Sequence, residues 1–264
     1  MFDANHKLRG VQMRIKAVLF DFFDTLLLIE GGDAFYMPSL RKLYEYLVNN
    51  GINVSFEDFN RAYFEIRDKL YAETEKSLEE PHFNFRVSQT LQKLGYKVDA
   101  SAAVVVGATE AFADEFMRYL HLDENAITVL QKLRGKYKLG VISNFAIPEC
   151  IWQLLEKFSL TRFFDVVLIS GAINKRKPSP EIFEKALKAI GVDASEAVFV
   201  GDTPRLDVKG AKAIGMKSIL IQRKASEIDS PKSLIWKPRE DDANLKPDKV
   251  IGSLSELLVA IENC

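Results

Sequence analysis

Residues 15–26 read IKAVLFDFFDTL, an apolar run of strand length that ends in an aspartate, Asp21, and a polar turn. Val18, Leu19 and Phe20 follow one another without polar alternation, as in a strand buried on both faces of a parallel sheet. Four later segments share this character: LGVIS (139–143), VVLIS (166–170), AVFVG (197–201) and SILIQ (218–222). Helical patterns lie between them, around 126–133, 148–158 and 180–190, and a short strand near Val250 and a helix from Ser253 close the series. Strands alternating with helices predict an α/β fold with a doubly wound, Rossmann-like parallel sheet.

The interval from 30 to 120 breaks the alternation, with several helical stretches and no convincing strand. A crossover needs only about a dozen residues, so an interval this long predicts an inserted all-helical domain beside the end of the first strand. The expected division is an α/β core of 13–29 and 121–264, a helical insert of 30–120, and an N-terminal extension of 1–12. Residues 35–85 hold 11 of the 28 aromatics, including Phe35, Tyr36, Tyr44, Phe59, Tyr63 and Phe64, which predicts an aromatic bundle interior. The insert carries 10 basic and 15 acidic side chains, a charge of −5, against 26 and 22, or +4, in the remainder, so the two units attract. Ser230–Pro247 reads as a surface excursion before the last strand.

The whole chain, 264 residues with 36 basic and 37 acidic side chains, has the composition of a soluble globular protein. Its formal charge of −1 provides no bulk attraction to nucleic acid or to an anionic membrane, and neither is an expected partner. The two cysteines, Cys150 and Cys264, match neither a disulfide framework nor a zinc pattern, so a reducing, cytoplasmic setting is expected. Oligomeric state leaves no signature.

Ligands of open parallel sheets bind beyond the carboxyl ends of the strands. Those ends carry Asp21 in FDFFDTL, then Ser143 and Asn144, then Lys177 in NKRKPSPEIF, then Asp202 and Asp207 in GDTPRLD. Singly, each has a plain alternative: an aspartate after a strand caps or turns, a lone lysine is a solvated surface group, and an aspartate opening a helix serves its dipole.

Together and in this order, the four motifs resemble those of the haloacid dehalogenase superfamily over nearly the whole chain. The resemblance implies Asp21 as nucleophile, Ser143 and Lys177 as groups that bind the transferring oxygens, and Asp207 as the residue that positions Lys177 or metal-bound water. It implies Mg2+ held by the carboxylates of Asp21 and Asp202 and the main-chain carbonyl of Phe23, and it places the helical insert at the family's common cap position. Thr25 is a turn residue or a hydrogen-bond partner near the phosphate, and Asn144 holds a loop or touches substrate. His82 and His121 have no partner at recognisable spacing and read as ordinary residues of the insert and its edge.

One position departs from the family's phosphatases, which carry a second aspartate two residues after the nucleophile as general acid-base. Here it is Phe23, and a missing proton donor removes about 100- to 10,000-fold of a rate. Asp24 is one residue too late, since on extended chain it points to the other face. The expected function is Mg2+-dependent hydrolysis of a small phosphorylated metabolite through an aspartyl-phosphate, favouring good leaving groups. Dehalogenation of a 2-haloacid through an aspartyl ester is the alternative reaction. A phosphometabolite-binding module weakened in catalysis is the alternative class. Lys42 and Lys69 are candidates for a Schiff-base lysine of the related phosphonate hydrolases, though neither sits in a matching motif.

Overall fold

The structure is a computed structural model and describes residues 14–223 and 245–264. The extension 1–12 and residues 230–244 of the expected surface excursion lie outside the described residues. In chain order the first half comprises β1 (Ala17–Phe20), β2 (Leu27–Ile29), α1 (Tyr36–Asn49), α2 (Phe56–Ser77), α3 (Phe83–Lys93), α4 (Ala103–Phe116) and β3 (Leu120–Leu122). Next come α5 (Ala126–Leu133), β4 (Lys138–Ser143), α6 (Pro148–Lys157), β5 (Val166–Ile169), α7 (Ser170–Ile173) and α8 (Pro180–Ile190). The chain ends in β6 (Ala197–Gly201), α9 (Lys209–Ala213), β7 (Lys217–Ile221), β8 (Lys249–Ile251) and α10 (Leu257–Glu262).

Among the described residues six strands form a parallel sheet in the order β5-β4-β1-β6-β7-β8. β1 lies between β4 and β6, with Leu19 opposite both Gly140 and Phe199. The chain builds β4 and β5 on one side of β1 and then crosses to build β6, β7 and β8 on the other. The carboxyl ends of β1, β4 and β6 therefore converge where the winding reverses, which is where such sheets bind ligands.

The period-two geometry of a strand divides the apolar residues between two layers. Val18, Phe20, Leu139, Val141, Val198 and Val200 belong to one buried layer, which continues into α5, α6, α10 and the inserted helices. Ala17, Leu19, Ile142 and Phe199 belong to the other, under Ile182, Phe183, Ala186 and Leu187 of α8. Continuous apolar runs in the sequence thus reflect burial on both sides.

The inserted helices bury the aromatic interior expected of them: Tyr36, Phe59, Tyr63, Phe83, Phe112 and Phe116 are all nearly inaccessible. A serine cap starts α2, with Ser55 Oγ accepting from Asp58 N at 3.1 Å, and His82 caps α3 by accepting from Asn84 N at 3.1 Å. One feature at the edges of the insert differs from the sequence expectation. Its two ends pair as an antiparallel ribbon, β2 with β3, Leu28 standing opposite His121. Each strand is three residues long, too short for periodicity to register.

Arg223, just beyond β7, ties this ribbon to the sheet. Its guanidinium donates to the carbonyl of Asp24, to that of Thr25 at 2.9 Å and to Asp123 Oδ2 at 2.7 Å. Asp123 in turn donates its N–H to Leu26 O at 3.0 Å, so both chain crossings into the insert are gripped from one point. Replacing Arg223 by alanine leaves the Asp123 carboxylate, 7% exposed, without its counter-charge. The expected loss is about 2 to 3 kcal/mol, somewhat below that of a fully buried pair because the arginine is 26% exposed. Thermal unfolding measures it, with Arg223→Lys recovering only part because a lysine cannot reach three acceptors. An unchanged melting temperature would show that the clamp carries no stability.

Candidate active site

β1 delivers Asp21 to the sheet edge, and the ladder continues one step further, Asp21 N donating to Val200 O at 2.8 Å. The chain then turns tightly: Leu26 N and Leu27 N both reach Phe22 O, and Asp24 takes a left-handed conformation with φ 53°. Lys177, in the loop before α8, extends into the interior until its side chain is 1% exposed. Its Nζ lies 2.6 Å from Asp21 Oδ1 and 2.8 Å from Asp207 Oδ1. Burial opposes the ammonium charge, but the carboxylates of Asp207 and Asp21 outweigh it and hold the lysine above its ordinary pKa.

The loop that carries Lys177 is fixed by Asn144. The asparagine amide donates to Lys177 O at 2.9 Å and accepts from Lys177 N at 2.8 Å, which supports the loop-holding alternative for this residue. Asp207 comes from the single π-type turn Pro204–Val208 after β6 and accepts from Thr203 N at 2.8 Å. Gly201 makes this approach possible, since a Cβ there would sit 2.3 Å from Asp207 Oδ2. The Gly-Asp pair of GDTPRLD therefore has a steric cause.

Carboxylate oxygens of Asp21, Asp202 and Asp207 all lie within 4.8 Å of one another. Lys177 pairs with both Asp21 and Asp207, one positive charge between two carboxylates, whereas Asp202 makes no ion pair among the described residues. Burial and then the charges of Asp21 and Asp207 push the Asp202 carboxyl well above the usual carboxylate range. Burial likewise pushes Asp207 up, against the pull of Lys177, to about 6. An all-oxygen cluster of three carboxylates against a single lysine suits a hard divalent cation such as Mg2+. The hydroxyls of Ser143, at the end of β4, and of Thr25, in the turn after β1, are buried without a hydrogen-bond partner.

Phe23 lies in an aromatic wall, its ring centroid 5.0 Å from Phe145 and 5.5 Å from Phe116, with Phe116 in turn 4.5 Å from Phe35. Asp24 Oδ1 accepts from Ile29 N at 3.3 Å on the ribbon side. Lys42 and Lys69 are exposed and face Glu45 and Glu73 on their own helices, away from the site. His82 pairs with Glu149 at 3.0 Å and His121 is exposed on β3.

Beside the cluster, a cavity of about 610 Å3 separates the sheet edge from the inserted helices. Lys177, Asn144 and Phe145 line one side, and Phe83, Arg86 and Phe112 the other. Arg86 escaped the sequence reading although a signal was present: it stands between Phe83 and Thr90 on the apolar stripe of α3, where an arginine is unexpected.

A model of the haloacid dehalogenase-like hydrolases matches residues 15–215. The chain belongs to this family. It is 33% identical over 248 residues to glyceraldehyde 3-phosphate phosphatase of Methanopyrus kandleri, covering 92% of this chain and 96% of that one. Among solved structures it is similar to 2-haloacid dehalogenase from Pseudomonas syringae pv. Tomato, with TM-score 0.68, 25% identity and coverage of 94% and 99%. It is also similar to an HAD phosphatase from Thermococcus onnurineus, with TM-score 0.61, 26% identity and coverage of 92% and 96%. The chain is thus a hydrolase of this family, with the doubly wound core the sequence implied.

The raised carboxyls have a thermodynamic consequence. A carboxyl with a higher pKa in the folded protein stabilises it fully below the unfolded value of about 4, and this contribution is lost as pH rises through the folded value. In a chelating buffer the wild type is therefore expected to lose stability relative to Asp202→Asn as pH rises above the unfolded carboxyl range, and thermal unfolding across a pH series measures the difference. Parallel curves for the two proteins would show that the cluster is not strained by its own charge.

Proposed function

We propose that the protein is an Mg2+-dependent phosphohydrolase of small phosphorylated metabolites that works through an aspartyl-phosphate on Asp21. The observation that carries this reading is the pairing of a nucleophile-ready Asp21, held through Oδ1 by Lys177, with the uncompensated Asp202 beside it. The phosphatase name of the Methanopyrus kandleri relative, which matches over nearly the full length, agrees with it.

In this reading Asp21 Oδ2 attacks phosphorus and the bond from phosphorus to the ester oxygen breaks, leaving the phosphoryl group on the carboxylate. Lys177 orients the nucleophile and neutralises phosphoryl oxygens, and the orphaned hydroxyls of Ser143 and Thr25 donate to them. Asp207 keeps Lys177 in place, and Asn144 fixes its loop while bordering the substrate cavity. Asp21, Asp202 and the Phe23 carbonyl would hold Mg2+, which when bound supplies counter-charge to the transferring group. Residues 30–120 act as a cap over a core of 13–29 and 121–264, excluding water and reading the substrate. A cytoplasmic, small-molecule enzyme is the setting this implies.

Phe23 shapes the kinetics. With an aromatic ring where a proton donor is expected, the leaving group departs unassisted, so acyl phosphates and activated esters are favoured. Dehalogenation is the second reading, favoured by the same ring, because halide needs no proton, and by the likeness to a 2-haloacid dehalogenase. The carboxylate cluster weighs against it.

Asp21→Asn is expected to abolish turnover of an activated aryl phosphate. In the wild type the rate should fall steeply as the leaving group's pKa rises, while Phe23→Asp should raise alkyl-phosphate turnover by 10-fold or more. A flat leaving-group dependence, or aryl-phosphate turnover surviving in Asp21→Asn, overturns the reading. Mg2+ at about 100 times its Kd should add about 2.7 kcal/mol of stability, and Asp202→Asn should lose that gain. Halide release from haloacids without Mg2+ would favour dehalogenation instead.

A further inference from the structure

The cavity holds a cation that the chemistry at Asp21 does not use. Arg86 of α3 lines it, is 9% exposed and makes no ion pair with a carboxylate among the described residues. The other arginines lining this cavity are matched, Arg176 to Glu80 at 3.4 Å and Arg205 to Glu75 at 3.9 Å. Arg86 has a single long hydrogen bond from Nη1 to Tyr63 Oη, at 3.4 Å, and its Nε is buried with no partner. The rings of Tyr71 and Phe83, each 5.0 Å from its central carbon, hold it in position without satisfying its donors.

A buried guanidinium with unused donors is costly unless an anion meets it, and a guanidinium fork matches a carboxylate through two parallel hydrogen bonds. The same cavity is lined by Lys177, whose Nζ contacts Asp21, so a ligand with its phosphoryl group at Asp21 extends into space that Arg86 borders. One fixed positive charge set among Phe83, Phe112 and Tyr36 suits a singly charged carboxylate on a short carbon body better than a second, doubly charged phosphate.

We propose that Arg86 is a specificity-determining residue that receives a carboxylate of the substrate, so that the preferred substrates are phosphorylated carboxylic acids. This deepens the phosphohydrolase reading and rests on it for the position of the phosphoryl group. The negative side chains Glu75 and Glu80 in the cavity wall are engaged by Arg205 and Arg176, and Lys76 and Lys209 in the same wall are exposed to solvent, so Arg86 is the buried cation there that no carboxylate meets among the described residues.

The test is of binding, so the leaving group has no influence. Asp21→Asn protein, in buffer with Mg2+, is titrated calorimetrically with 3-phosphoglycerate and with glycerol 3-phosphate, which differ in a carboxylate against a hydroxymethyl group. The acid is expected to bind at least 10-fold tighter, and the added substitution Arg86→Lys, which keeps the charge but loses the fork, should reduce that ratio several-fold. Arg86→Met should bring it close to one. Equal binding of the two ligands, binding of neither, or a preference that survives Arg86→Met overturns the inference, and the first of these needs no Arg86 variant to fold. Aryl-phosphate turnover by the wild type, measured in parallel, decides the phosphohydrolase reading separately.

Discussion

A lysine ammonium buried between two carboxylates is the constraint on which the rest of the site depends. Lys177 reaches Asp21 on one side and Asp207 on the other, at 2.6 and 2.8 Å, with 1% of its side chain exposed. Such a charge survives burial only if its partners are fixed in place. Each partner is fixed by backbone: Asp21 by the ladder to Val200, Asp207 by Thr203 N and the absence of a side chain at Gly201, and Lys177 itself by the two hydrogen bonds of Asn144. Three strand ends from distant parts of the sequence thereby meet at one point, and the strand order with β1 between β4 and β6 is what brings them there.

The insert meets the core through contacts of different physics, backbone hydrogen bonds from Phe83 N to Ala146 O and from Arg176 N to Leu78 O among them. At its roots, Arg223 grips the crossings through charge-assisted hydrogen bonds that are partly shielded from solvent. Elsewhere along the boundary, Glu79 with Lys175, Glu80 with Arg176 and Glu75 with Arg205 make longer pairs, the first and last of them with a glutamate about half exposed. The latter are weak singly and are screened by salt, so they bias the position of the insert without locking it. The opposite net charges of the two parts, counted from sequence, correspond to these pairs.

Much of this was legible beforehand for identifiable reasons. The sheet showed because its strands are buried on two sides and read as unbroken apolar runs, and the motif residues showed because strand ends in such sheets carry chemistry. The ribbon of β2 and β3 was hidden by its length, and the Arg223 clamp by the separation of nearly 200 residues between its partners, for which no local pattern exists. Arg86 was hidden differently: a helix stripe announces which face is buried, not that one buried member is charged and unpaired. Asn144 was left open between two roles because sequence gives a position and not the direction in which an amide points.

Phe23 shows how one substitution redistributes function across a site. A carboxylate at this position would add a fourth negative group near the three of Asp21, Asp202 and Asp207, where burial and neighbouring charge already raise the Asp202 carboxyl. A phenyl ring adds no such charge and instead packs against Phe145 and Phe116, joining the sheet edge to the last inserted helix through aromatic contacts. The wall it forms is apolar and carries no group that can give up a proton. A fixed ammonium between carboxylates thus stands near an aromatic wall without a proton to give, and the proposed preference for good leaving groups rests on that combination.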